Sequence, residues 1–341
     1  MALTTLGSTG GSAARSITAG LTRKGVDLRS KLVEGSLIGA LGITMVILAV
    51  LVADIIQRSW SVWTDRPVDF LTSGLNNSSA AEAGVSSAIR GTVTLCLIVI
   101  VVAFPLGIAC AVFLEEYAGK SRFARWTRVN VRNLAGVPSI VYGLLGLGIF
   151  VKALDALGNS ADNLQGRGFF ALRWLGNVFE FFAGNQGRNV FAGGLALSAL
   201  VLPIVVITTS EALRAVPGAI REGALGVGAT KWEMIRHHVL PAAAPGILTG
   251  TVLSLARAAG EAAPILLVGA VTGTLITGNK GFLDQLSGPF TALPAAIFSY
   301  ARAQGEDFRA VTAATALVLL VLVLIMNGFA IALRNRYDRK W

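Results

Sequence analysis

Two oppositely charged residues, Arg257 and Glu261, lie four positions apart inside a long apolar stretch of this 341-residue chain. Residues at that spacing share one face of a helix, so their side chains can meet. A charge that faces lipid costs about 3 kcal/mol, so such residues normally face a protein interior or a water-filled path. Because arginine binds phosphate or carboxylate through two parallel hydrogen bonds, the pair predicts a path for an anion. The alternative is an internal ion pair that neutralises itself.

Gly260 and Pro264 flank the glutamate and predict an irregular helix at this point. Proline has no N–H group, so the carbonyl of Gly260 loses the hydrogen bond that residue 264 would otherwise donate. We therefore expect the helix to be loosened or kinked within one turn of the charged pair. The surrounding alanines permit close packing of another helix.

The composition indicates a polytopic membrane protein rather than a soluble one. Hydrophobic residues make up 54% of the chain and charged residues only 14%, well below the roughly 25% typical of globular proteins. The net charge of +10 does not indicate nucleic-acid binding, because the basic residues lie between apolar runs. Its only histidines, His237 and His238, are adjacent, so we expect no metal site and no catalytic constellation.

Six segments are long and apolar enough to cross a bilayer, which requires about 20 residues each. The predicted spans are Ser36–Ile56, Gly91–Leu114, Leu134–Val151, Val190–Thr209, Pro245–Val271 and Ala310–Leu333. If the N-terminus is cytoplasmic, lysine and arginine are about twice as dense in the inner connections as in the outer ones. The sequence therefore predicts an all-α protein with six transmembrane helices and both termini in the cytoplasm.

The spans divide the chain into four predicted regions. We expect a cytoplasmic tail over residues 1–35, then a first transmembrane helix and outer loop over 36–90. A membrane core follows over 91–335, with a polar cytoplasmic loop at 211–244, and a short cytoplasmic tail occupies 336–341.

The cytoplasmic loop has the pattern of a docking element. Residues Pro217–Trp232 suggest a short amphipathic helix that Gly226 and Gly228 interrupt, and a second short helix over Lys231–His238 leads to Leu240–Pro241. A helix pair outside the bilayer can insert into a groove on a partner. An amphipathic helix lying on lipid is the alternative, and the periodicity favours neither.

The same loop resembles the EAA loop of ABC-importer permeases, whose pattern is EAA-x3-G-x9-I-x-L-P. The matching residues are Glu222, Gly223, Ala224, Gly228, Leu240 and Pro241. The chain departs from the pattern at Gly223, where the family has alanine, and at His238, where it has isoleucine. The resemblance implies that this loop docks onto a separate ATPase subunit. The chain itself lacks a complete phosphate loop, since Leu114 stands where the first glycine before Gly119–Ser121 is required.

Three further segments resemble the phosphate ABC-importer permeases. ARAAGEAAPIL contains Arg257 and Glu261 and differs by Ala262 where that family commonly has threonine; NLAGVPSIVYGL follows at Asn133–Leu144 as a second signature. LPAAIFSYA at Leu293–Ala301 is similar to the PstA branch rather than its sister PstC branch. The resemblance implies a type I ABC-importer permease (MetI-like) fold in a bacterial inner membrane, with the charged pair in the substrate path.

The resemblance also implies the partners and the cofactor arrangement. A second, PstC-like permease, two ATPase subunits and an extracytoplasmic phosphate-binding protein complete such a transporter, and the ATPase rather than this chain binds ATP and Mg²⁺. Three alternatives stay open: a permease for another oxyanion such as sulfate or molybdate, an intramembrane enzyme, and an added role in signalling to a sensor kinase. Apart from Arg257 and Glu261 the spans are nearly free of ionisable groups, which disfavours an enzyme.

Overall fold

The computed structural model describes residues 28–119, 121–156, 185–271 and 288–337, and within these ranges the backbone is helical with no β-strand. Six of its helices are long and apolar enough to cross a bilayer. They cover Lys31–Asp65, Ser86–Tyr117, Ser139–Ala156, Val190–Ala215, Lys231–Gly260 and Asp307–Arg336. The prediction of an all-α polytopic protein with six transmembrane helices is therefore confirmed.

Twelve α-helices make up the described chain, numbered here in chain order. They are α1 Leu28–Asp65, α2 Pro67–Thr72, α3 Ser86–Val112, α4 Arg122–Ala135, α5 Ser139–Leu145, α6 Val190–Ala215, α7 Gly218–Gly226, α8 Lys231–Met234, α9 Leu240–Gly260, α10 Ala263–Val268, α11 Leu293–Arg302 and α12 Asp307–Tyr337. Three π-helical turns extend or join them. These are Phe113–Tyr117 after α3, Gly146–Val151 after α5 and Ile235–Val239 between α8 and α9.

The chain divides into two compact units, residues 1–54 and 55–341. The described part of the first unit is the N-terminal portion of α1, which is apolar and exposed, as suits a helix in lipid. It begins at Leu28, eight residues before the predicted start at Ser36. Residues 1–27 of the predicted tail lie outside the described residues, and the predicted region boundaries stay predictions.

The second unit is built around α3 and α6, which pack along each other. Glycines permit this: a Cβ at Gly107 would lie 2.7 Å from Val205 Cγ1, and one at Gly194 would lie 2.5 Å from Ile98 Cγ2. In lipid the hydrophobic effect does not drive helices together, so close backbone contact between small residues holds the spans. Buried apolar side chains from α3, α5, α6 and α10 form one core cluster.

The third span does not start at Leu134, and that prediction is wrong. Leu134 belongs to α4, and Pro138 lies directly before α5. Proline cannot donate a hydrogen bond to the preceding turn, so α4 cannot continue through it. The span begins at Ser139 instead. The Tyr142 hydroxyl donates to the carbonyl of Leu134 at 2.9 Å and holds the two helices together.

The fifth span begins earlier than predicted. The π-turn Ile235–Val239 joins α8 to α9 without interruption, so the prediction of a separate short helix over Lys231–His238 is wrong. In this turn the N–H of Leu240 donates to the carbonyl of Ile235, one residue further back than in an α-helix. That shift lets the helix continue past Pro241, whose nitrogen has no proton to donate.

The same span also ends earlier than the predicted Val271. α9 stops at Gly260, and Glu261 has an extended backbone with φ −81° and ψ 120°. Helix α10 then resumes with Pro264 in its first turn. The interruption therefore lies between Gly260 and Pro264, where the missing proline N–H was expected to weaken the helix.

Buried hydrogen bonds hold α11 against α3 and against the connection that precedes it. The Tyr300 hydroxyl donates to the carbonyl of Gly84 at 2.7 Å, and Thr92 Oγ1 accepts a hydrogen bond from Leu293 N at 2.8 Å. Burial raises the pKa of Tyr300 to about 12, so the hydroxyl keeps its proton and its role as a donor.

Candidate anion path and coupling segment

Arg257 lies in the last turn of α9, and Glu261 lies just beyond the end of that helix. The two side chains meet, with Arg257 Nε 3.4 Å from Glu261 Oε1. The arginine side chain is 56% exposed, whereas the glutamate is 18% exposed. In the described part of the chain this is the one ion pair that Arg257 makes, so its two terminal nitrogens are available to bind an anion.

Two of the segments that resemble phosphate permeases, NLAGVPSIVYGL and ARAAGEAAPIL, contact each other beside the helix interruption. Gly143, in the segment Asn133–Leu144, packs so closely on α10 that a Cβ there would lie 2.8 Å from Pro264 Cα and 2.7 Å from Leu267 Cδ1. By contrast, a Cβ on Gly260 would meet nothing within 4 Å. The site is therefore supported by packing on the α10 side and open at Gly260, beside the arginine.

The coupling segment, residues 211–244, contains a tight turn between α7 and α8. Gly228 has φ +89°, in the left-handed region that glycine adopts at little cost. Its N–H donates to the carbonyl of Leu225 at 3.0 Å. Thr230 and Glu233 then form a reciprocal capping box that starts α8, with each side chain accepting a hydrogen bond from the other residue's backbone N–H.

The six residues predicted to couple to an ATPase occupy different environments. Ala224 is buried and Leu240 is half-buried, both in contact with one apolar cluster, whereas the other four are exposed: Glu222, Gly223, Gly228 and Pro241. Three large apolar side chains nearby are also exposed: Leu225, Val227 and Trp232. Val227 is the most accessible of these, at 85%. An apolar patch beside polar residues is typical of a protein docking surface.

An ion-pair cluster at the end of α3 connects three helices. The carboxylate of Glu115 accepts two hydrogen bonds from Arg214, at 2.9 Å from Nε and 2.7 Å from Nη2. Arg128 of α4 approaches the same carboxylate at 3.4 Å and also donates to the carbonyl of Leu114. Paired, fork-like hydrogen bonds to a carboxylate have defined geometry. They fix the end of α3, the middle of α4 and the end of α6 relative to one another.

The neighbouring Glu116 connects the same turn to the coupling segment. Its Oε1 accepts hydrogen bonds from Arg221 of α7, at 2.8 Å from Nη2 and 3.1 Å from Nε. The Glu116 side chain is only 7% exposed. Arg221 also donates to the carbonyls of Leu213 and Val216, both at 2.8 Å. One guanidinium therefore holds α7 against both α3 and the end of α6.

The five charged residues of this cluster were not predicted to lie together. Their common feature is their position: all lie at the end of a span or in the segment next to it, on the side predicted to be cytoplasmic. They are Glu115, Glu116, Arg128, Arg214 and Arg221. The sequence feature that could have indicated the cluster is the pair of consecutive glutamates in a connection that is otherwise basic. Acidic residues in such a connection have several arginines near them with which to form ion pairs.

Comparisons with known proteins agree with this architecture. The family described as "Binding-protein-dependent transport system inner membrane component" matches residues 103–339. A phosphate transport system permease protein PstA from Xylella fastidiosa is 34% identical over 257 residues, which covers 75% of this chain and 77% of that protein. The PstA of Yersinia pestis is 33% identical over 252 residues, with coverages of 74% and 72%. A PstC from Mesorhizobium japonicum is 29% identical over 301 residues, with coverages of 87% and 88%.

These similarities confirm the predicted resemblance to the PstA branch and the type I permease fold. Together with the six spans, they make this a multi-pass inner-membrane permease of an ABC transporter. The chain belongs to the family of binding-protein-dependent transport system inner membrane components.

Proposed function

We propose that the chain is the transmembrane permease subunit of an ATP-driven importer of inorganic phosphate, and that it couples the translocation path to a separate ATPase. The observation that carries the proposal is the accessible guanidinium of Arg257 beside the helix interruption that ends the fifth span. The names of the PstA relatives, which cover about three quarters of the chain, favour phosphate over sulfate or molybdate.

The chemistry of the path follows from the Arg257–Glu261 pair. The arginine fork holds two oxygens of a phosphate ion as it passes. Glu261 orients the guanidinium when no anion is present. Its negative charge also repels a bound anion, which weakens the binding and favours release. A transport site has to bind well enough to admit the ion and weakly enough to release it. The carboxylate beside the arginine meets the second requirement.

The exposure of Arg257 supports a path completed by a second subunit. More than half of its side chain is accessible in the isolated chain, although a charge in a span normally faces protein or a water-filled path. A PstC-like permease paired with this chain supplies the opposite wall, and an extracytoplasmic phosphate-binding protein delivers the anion. Two ATPase subunits bind ATP and Mg²⁺, and this chain binds neither.

The unbroken helix from α8 to α9 offers a direct mechanical connection. Residues 231–257 belong to one continuous helical run, which extends about 39 Å at ~1.5 Å per residue. A rigid-body movement that the ATPase imposes on the coupling segment therefore tilts the helix that carries Arg257. Glu116 and Arg221 transmit the same movement to α3, so several spans change position together.

The proposed orientation places both termini and the coupling segment in the cytoplasm. The support is the excess of lysine and arginine in the connections on that side. The ATPase is then on the side where ATP is available.

Replacing Val227 with aspartate should detach the ATPase. Val227 is 85% exposed and lies beside the left-handed turn of the coupling segment. An unpaired charge buried at an interface costs at least 2 kcal/mol, so we expect the co-purified ATPase to fall about 30-fold. The measurement is the ATPase-to-permease ratio after affinity purification of the tagged chain from its native membrane.

Val68→Asp is the matched control, because Val68 is also an exposed valine but lies in α2, on the predicted outer side. It should retain the wild-type ATPase ratio. Full retention of the ATPase by Val227→Asp, or an absence of stoichiometric ATPase from the wild-type preparation, would contradict the proposed docking.

A further inference from the structure

Helix α4 is confined to the membrane surface by its short connections. The preceding span ends at Tyr117 and the following span begins at Ser139, so residues 118–121 and 136–138 are its only links. At about 3.5 Å per extended residue, these links reach no further than about 14 Å and 11 Å. α4 is therefore held close to the level at which both spans leave the bilayer.

One face of α4 packs on the rest of the protein, and another exposes aromatic rings. Ala124 is buried in the cluster that α4 shares with α6. Phe123 and Trp126 are each 64% exposed, and their rings stack with centroids 6.3 Å apart. Val129 extends this apolar face and is 52% exposed. Tryptophan and phenylalanine in such a position are typical of helices that lie in the membrane interface.

The remaining exposed surface of α4 is basic. Arg122, Arg125 and Arg132 are exposed, and α4 contains no acidic residue. Within the described residues none of these three arginines makes an ion pair, whereas Arg128 of the same helix binds Glu115. At about 100° per residue, Arg122 lies about 40° around the helix from Trp126, and Arg125 lies about 40° from Val129, so both border the apolar face. The helix thus presents unpaired positive charge next to an apolar edge, at the level of lipid headgroups.

We propose that α4 is an interfacial helix that binds anionic phospholipid headgroups through Arg122 and Arg125 while Phe123 and Trp126 insert among the acyl chains. Lipid fits this face better than a protein partner does, because the short connections hold the helix at headgroup level and its free charge is uniformly positive. Only the assignment to the cytoplasmic leaflet rests on the proposed function. Lipid binding itself does not depend on which anion the protein transports.

The first test compares two double variants of the assembled transporter in detergent. Arg122→Gln/Arg125→Gln removes the proposed headgroup ligands. Arg302→Gln/Arg309→Gln removes the same charge from exposed arginines of α11 and α12. Each arginine near an anionic surface contributes about fivefold, so the first pair should weaken binding of labelled phosphatidylglycerol about 25-fold. The control pair, and the charge-preserving pair Arg122→Lys/Arg125→Lys, should bind within about threefold of wild type.

The second test shows whether Trp126 lies among the acyl chains of the lipid. The complete transporter is reconstituted with phosphatidylglycerol brominated on its acyl chains, and the fluorescence of Trp126 is isolated by subtracting the signal of Trp126→Phe. Quenching of Trp126 supports the proposal. An unquenched Trp126 shows that a protein partner covers this face and overturns it, as does equal phosphatidylglycerol affinity of wild type and Arg122→Gln/Arg125→Gln. Both readouts are independent of phosphate transport, so the proposed function can fail without affecting them.

Discussion

Arg257→Ala should abolish phosphate uptake while the transporter remains assembled. The substitution removes two charge-assisted hydrogen bonds to the passing anion, each contributing about 1.5–3 kcal/mol, so we expect at least a roughly hundredfold loss of uptake rate. Arg257→Lys should also fail, because a point charge cannot reproduce the planar fork. The measurement is uptake of radiolabelled phosphate, with co-purified ATPase as the check on assembly.

The double variant Arg257→Ala/Glu261→Ala separates the two interpretations of the charged pair. If the pair only neutralises itself, removing both charges eliminates the unpaired carboxylate and restores uptake. If Arg257 contacts the anion, the double variant stays inactive. Arg309→Ala is the control, since Arg309 is also paired with a nearby glutamate but is 74% exposed in α12. Wild-type uptake by Arg257→Ala or Arg257→Lys would exclude the proposed role.

Glu116→Gln should uncouple ATP hydrolysis from transport. The neutral amide can still accept a hydrogen bond from Arg221 but forms no ion pair with it, so α7 loses its ionic connection to α3. Breaking a nearly buried ion pair costs about 3 kcal/mol of free energy. The contact between α7 and the end of α3 is therefore roughly hundredfold less stable. We expect ATPase activity to persist while phosphate transported per ATP hydrolysed falls at least about tenfold. Both rates are measured on the same proteoliposomes.

Four further variants show whether the effect depends on the ion pair between Glu116 and Arg221. Glu116→Asp keeps the charge and should retain most of the transport-to-hydrolysis ratio, whereas Glu306→Gln alters an exposed pair, 3.8 Å apart, and should retain all of it. Arg221→Gln combined with Glu116→Gln should be no worse than Arg221→Gln alone, because one interaction is lost in both cases. An unchanged ratio in Glu116→Gln would contradict the role of this pair in coupling.

The membrane architecture could be predicted because each span is a local property of the chain. A run of about 20 apolar residues shows where the bilayer is crossed, whatever the helices pack against. The interruption after Gly260 was equally local, since Pro264 removes one specific hydrogen bond. The helix boundaries that were predicted wrongly depend on the local backbone geometry. The sequence pattern suggested a joint at Leu240–Pro241, and a π-turn carries the helix through it instead.

The candidate site was only partly predictable for the same reason. Spacing alone indicated that Arg257 and Glu261 meet, and the structure places them 3.4 Å apart. The cluster around Glu115 and Glu116 joins residues 99 and 105 positions apart, and no periodic pattern links residues so distant. The accessibility of Arg257 likewise depends on which face of α9 the rest of the chain covers.

ATP-dependent uptake of radiolabelled phosphate by proteoliposomes measures the proposed transport activity itself. They contain this chain with its co-purified permease and ATPase, the phosphate-binding protein is supplied on the outer side, and ATP is enclosed. We expect uptake that requires ATP, that excess unlabelled phosphate inhibits, and that excess sulfate or molybdate leaves unchanged. Uptake without ATP, or equal inhibition by sulfate or molybdate, would contradict it.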